Sequence, residues 1–228
     1  MHYLIHGDYH LGSRQFLSSL IKQAGDQAKE IIKLNGDQLS LNHLFQATSS
    51  SSLFGSEKQL VIENLFSITK SKQQSEMLDW LKNYHGENPI IFWEKKDIGK
   101  VLQRRLPQPI TVKQFKTPII VFKLVEQIYP QNINQALVLL RTALQKESAE
   151  FLFAMIIRQL RLMLLVKADQ KIPGAPWMIG KLKKQASHFD TFKLQNLYQQ
   201  LYTLDKRIKT GQSIMPLSWQ LELLISQI

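Results

Sequence analysis

The chain has 228 residues, of which 44% are hydrophobic, with no cysteine and a formal net charge of +11. That length and apolar content suit one large or two small domains, and the lack of thiols excludes disulfide scaffolds, thiolate zinc sites and cysteine nucleophiles, leaving His, Asp or Glu for any metal. No run of about 18 apolar residues appears and the opening Met1 to Gly7 reads as a strand rather than a signal, so a soluble, cytoplasmic protein with no membrane partner is expected.

In chain order, short apolar runs predict strands at 3–5, 30–34, 59–63, 89–93 and 110–115, alternating with helical segments at 14–24, 41–47, 73–84 and 98–105. Five strands joined by helical crossovers imply an α/β domain over 1–116, with a mainly parallel sheet and helices on both faces. From 117 the apolar residues follow the 3.6-residue period and no strand is expected. Helices are predicted at 118–128, 133–144, 147–168, 177–186, 191–208 and 217–228, which makes 117–228 a helical bundle. Pro130 and the Pro173-Gly174-Ala175-Pro176 turn separate successive helices.

The loop after the first strand, Gly7-Asp8-Tyr9-His10-Leu11-Gly12, holds the sharpest enzymatic motif. A strand ending in Asp8-x-His10 is how metal-dependent phosphoesterases and nucleases supply their first two ligands, and Gly36-Asp37 could add another. That chemistry needs a dinuclear cage completed by an Asn-His pair and later histidines. Asn42-His43 follows Asp37 too closely, and His85 and His188 are solitary. The structural alternative is a strand-to-helix turn in which Gly7 accommodates the backbone and Asp8 or Ser13 caps the helix. The same loop spaces Gly7 and Gly12 as a phosphate-binding loop does, but Ser13 and Arg14 occupy the places of its lysine and its Ser or Thr. Leu60-Val61-Ile62 runs into Glu63-Asn64 and lacks the magnesium-binding Asp. No cofactor is expected.

Between the second predicted helix and the third strand, the pair Leu53-Phe54 stands between Ser49 to Ser52 and a Gly55-Ser56-Glu57-Lys58 turn. Such a setting suits display of a large apolar pair, although burial in the core is its ordinary alternative. The positive charge divides as 15 basic against 11 acidic residues on 1–116 and 14 against 7 on 117–228. It favours phosphate or acidic-protein partners, with short clusters at Lys181, Lys183 and Lys184 and at Lys206, Arg207 and Lys209. A solvated face is the plain alternative for such clusters, and a stand-alone basic DNA-binding protein is a competing reading.

Taken together, these segments resemble the delta subunit of the bacterial DNA polymerase III clamp loader. The opening Tyr3-Leu4-Ile5-His6-Gly7-Asp8, Ser13-Arg14 at the helix start, the Leu53-Phe54 pair before an apolar strand, Ile157-Arg158-Gln159-Leu160 and the ending Asp205 to Gly211 occur in that family's order. The resemblance implies an ATPase-like α/β domain without a nucleotide site, followed by a helical collar domain. It implies a non-catalytic subunit that binds and opens the sliding clamp through Leu53 and Phe54. Its implied partners are the clamp, the loader's ATPase subunits and a delta-prime-type subunit, with primer-template DNA met indirectly or weakly. Arg158, Arg161, Lys181, Lys183 and Lys184 are candidate contacts to DNA or to a neighbouring subunit. The family's small middle domain has no room between Phe115 and Ile119, so the chain reads as a shortened form.

Overall fold

The computed structural model describes residues 1–49, 57–67 and 72–228. They divide into two units, Met1–Thr117 and Pro118–Ile228, one residue beyond the boundary expected from the change in periodicity.

The first unit runs β1 (His2–His6), α1 (His10–Asp26), β2 (Glu30–Asn35), α2 (Leu41–Ser49), β3 (Lys58–Glu63), α3 (Lys72–Lys82), β4 (Ile90–Glu94), α4 (Lys100–Gln103) and β5 (Ile110–Gln114). The strands form one sheet in the order β2-β3-β4-β1-β5, and every pairing is parallel, where a mainly parallel sheet was expected. The register sets Leu4 beside Phe92 and Val112, and Leu60 beside Ile90. The central strands β3 and β4 are buried along nearly their whole length, as a parallel sheet covered on both faces requires. The edge strands carry Glu30, Lys33 and Lys113, charges that discourage pairing with another chain.

Side chains alternate across the sheet, so each face has its own core. On one face Leu17 of α1 packs with Ile5, Val61, Ile91 and Trp93. On the other, Leu44 of α2 and Met77, Leu78 and Leu81 of α3 pack with Leu4, Leu60, Ile62, Ile90 and Phe92. The crossover β1 to β2 thus lies on one face and the returns β2 to β3 and β3 to β4 on the other.

The second unit contains α5 (Ile119–Glu126), α6 (Ile133–Leu144), α7 (Ala149–Lys167), α8 (Pro176–Ser187), α9 (Thr191–Lys209) and α10 (Leu217–Ser226). Four residues separate β5 from α5. The long helix α7 packs against α5, α8, α9 and α10, placing Leu152, Ile156, Leu160 and Met163 in the core with Leu124, Leu140, Leu182, Leu201 and Leu221. Ser148 caps α7 by accepting from the Phe151 N–H, and Asp190 caps α9 by accepting from those of Phe192 and Lys193. Gly211, at φ +69, ends α9: its N–H donates to the Ile208 carbonyl and that of Gln212 to Arg207, the paired bonds of a Schellman motif. Among the described residues no helix is long and apolar enough to cross a membrane.

Candidate partner-binding surfaces

In a doubly wound sheet a ligand binds where neighbouring strands send their connections in opposite directions, which here is the carboxyl end of β1 and β4. The chain fills that place with its own groups. Gly7 turns at φ +128 because the Phe115 backbone lies against it: a Cβ there would stand 1.9 Å from the Phe115 carbonyl oxygen. The Phe115 N–H donates to the His6 carbonyl at 2.7 Å, and its own carbonyl accepts from the Tyr9 N–H at 3.1 Å. His10 Nε2 donates to the Lys95 carbonyl, tying the two loops together.

The residues that a phosphate or metal site would need are engaged inside the fold. Asp8 does not cap α1, as the sequence suggested; its carboxylate accepts from the Thr117 N–H at 2.8 Å. Ser13 is not the cap either, since among the described residues α1 has no side-chain cap, and its fully buried hydroxyl donates to the His10 carbonyl and accepts from Trp93 Nε1. The Arg14 guanidinium lies 3.5 Å above the Trp93 ring and meets Glu63 through two contacts, Nη1 to Oε1 at 2.8 Å and Nη2 to Oε2 at 2.7 Å. Among the described residues no three His, Asp or Glu side chains come together as metal ligands, so Asp8, His10 and Asp37 form no cage.

Two further polar groups at this end were not singled out from sequence. Glu94, the last residue of β4, is 1% exposed, and burial pushes its carboxyl up to about 7 although the Phe66 N–H donates to it at 3.0 Å. His6 lies beside it in register, also buried, with Nδ1 accepting from the Ile98 N–H and Nε2 without a partner among the described residues. Burial holds the His6 ring below its ordinary pKa, against the opposing pull of Asp97 3.6 Å away. The signal in the sequence was an acid directly after an uninterrupted apolar strand.

Leu53 and Phe54 lie outside the described residues, between the end of α2 and the start of β3.

In the helical unit the five candidate cations separate. Arg158 of α7 and Lys181 and Lys184 of α8 line a groove of about 310 Å³ between α5, α7 and α8; Arg161 and Lys183 are exposed outside it. Its apolar wall includes Phe122, Met155, Leu162 and Trp177. Beneath it Gln185 donates to the Val125 and Ile128 carbonyls at 2.7 and 3.0 Å and accepts from Gln159 at 2.6 Å, which fixes α8 to α5 and α7. Lys181 pairs with Glu126 at 3.1 Å. The sequence marked the cations; Trp177, Gln159 and Gln185 carried no local signal that would join them.

Residues 119–228 match the model of a protein family described as the DNA polymerase III delta subunit, C-terminal domain. No curated protein matches the chain. Among solved structures it is similar to the Bacillus subtilis DNA clamp loader delta protein, with 15% identity and a TM-score of 0.48 over 99% of this chain and 94% of that one, a likeness too distant to assign roles to residues. The match to the C-terminal domain of the DNA polymerase III delta-subunit family thus coincides with the helical unit, from residue 119 to residue 228.

Proposed function

We propose that the chain is a delta-type clamp-loader subunit, without catalytic activity of its own, that binds a DNA sliding clamp through Leu53 and Phe54 and favours the open ring. The family match over 119–228 supports the delta-type role, and the wedge rests on the setting of Leu53-Phe54 in the sequence. The apolar pair lies in the sequence between α2 and β3, and residues 1–117 serve as the clamp-binding unit. Each of the two side chains, entering an apolar cleft, contributes on the order of 1.5–3 kcal/mol. Opening follows only if part of that contact is better made with the open ring, because a ligand shifts an equilibrium by its differential affinity.

Residues 118–228 serve as the collar-type unit. Tyr202 of α9 and Trp219 and Leu223 of α10 are exposed, and apolar side chains of this size suit packing against the loader's ATPase and delta-prime-type subunits. Primer-template DNA is met through the assembled loader in the cytoplasm. The absence of nucleotide turnover in this reading is supported by Ser13 and Arg14, whose polar groups are spent on Trp93, His10 and Glu63.

The test is capture of purified clamp by the whole chain. The parent protein retains the clamp, and Leu53→Ala/Phe54→Ala loses it with an unchanged thermal unfolding midpoint. Undiminished capture by the double variant would refute the wedge.

A further inference from the structure

The groove of the helical unit is a partner site that the clamp reading does not use. We propose that it binds an acidic linear segment of another protein, anchored by one or two large apolar side chains. This goes beyond the clamp-loader role and does not depend on Leu53 or Phe54.

Three features converge on that ligand. First, the groove is preformed. The Gln159–Gln185–Val125/Ile128 hydrogen bonds fix the three helices that make it, so little conformational freedom is lost when it is filled. The amide of Gln185 in its floor is satisfied within the fold, by Gln159 and by the Val125 and Ile128 carbonyls. Second, its volume of about 310 Å³ and its Phe122, Met155, Leu162 and Trp177 wall suit buried side chains rather than a phosphate backbone. Trp177 is 68% exposed at the edge, a large apolar surface left to water. Third, the charge is one-sided. Arg158 and Lys184 have no ion-pair partner among the described residues, and the single acid of the groove, Glu126, is already neutralised by Lys181. An apolar centre with a charged rim is how protein interfaces divide the work of affinity and specificity. A nucleic acid would find only three cations around an apolar depression, and a second copy of this chain would bring its own excess of +11.

The experiment pans a displayed library of random dodecapeptides on the whole chain and measures the enriched peptides as fluorescent synthetic probes. The expected peptides combine Asp or Glu with Phe, Leu or Trp. Arg158→Ala/Lys184→Ala weakens them roughly tenfold, as does Trp177→Ala. Arg161→Ala/Lys183→Ala, which removes the same charge outside the groove, leaves affinity unchanged. All of these side chains are exposed, and matched thermal unfolding confirms that each variant is folded. Equal weakening by both double variants would mean diffuse attraction and would overturn the proposal, as would enriched peptides without acids or peptides indifferent to the groove variants. Groove-dependent binding of a dodecathymidylate strand in place of any peptide would also overturn it, and would make the groove a nucleic-acid site.

Discussion

Arg14 and Glu63 lock the first turns of α1 to the carboxyl end of β3 through a two-point contact, while the Arg14 guanidinium stacks on Trp93. The pair stands at a helix start of the kind that a phosphate-binding loop offers to a nucleotide, and here its contacts are made within the fold. Arg14 is 42% exposed at its side chain, which limits the gain through screening. Arg14→Ala is expected to lower unfolding free energy by about 1 kcal/mol, and a double-mutant cycle with Glu63→Gln to return a coupling of roughly 0.5–1 kcal/mol in urea titrations.

Two glycines should respond in opposite directions to a methyl group. At Gly7 the left-handed backbone and the Phe115 carbonyl leave no space, so Gly7→Ala should cost more than about 2 kcal/mol. Gly180 sits inside α8, and beyond that helix's own backbone none of the described residues comes within 4 Å of an added Cβ. There Ala restricts the unfolded chain and favours the helix, so Gly180→Ala should add about 0.5–1 kcal/mol. Denaturant midpoints at equal slope measure both.

Glu94 makes stability depend on pH. Its carboxyl titrates at about 7 in the fold against an ordinary 4.5, so between these values the native protein holds a proton that the unfolded chain has released. Stability therefore falls as pH rises from about 4.5 through about 7, by on the order of 3 kcal/mol for a shift of this size. His2 and His6, held below their ordinary pKa by burial, act oppositely: stability falls as pH drops below about 6.5, where the unfolded chain takes up protons that the fold refuses. Glu94→Gln keeps an acceptor for the Phe66 N–H and removes only the first slope. The variant should match its parent near pH 4 and exceed it near pH 8, read by urea unfolding across that range.

The strands were legible because each central one is an apolar run with nothing else to do: Leu60-Val61-Ile62 and Ile90-Ile91-Phe92-Trp93 have to be covered on both sides. The helices of the second unit were legible from period alone, to within two residues at most ends. What local reasoning misplaced was polar. Asp8 and Ser13 look like caps within a window of four residues, yet their partners are Thr117 and Trp93, brought there by β5 and β4. The groove shows the same limit. Lys181 and Lys184, three apart on a helix, share a face that Lys183 does not, and this much the sequence contained. That Arg158 and Trp177 would join them, over a floor made by Gln159 and Gln185, depends on how α7 packs against α8.

The placement of β1 has a consequence for how the N-terminal unit comes into being. β2 pairs with β3 and β3 with β4, so these three strands can assemble in the order in which a ribosome releases them. β1 cannot. Its partners begin at Ile90 on one side and Ile110 on the other, so β1 waits for nearly the whole unit before both of its neighbours are present. Closing so long a loop is slow relative to the local pairings. β5 pairs with β1 alone, so the sheet is completed only once β1 is seated beside β4, and a nascent chain halted before Gln114 would hold Tyr3, Leu4 and Ile5 without their full set of neighbours.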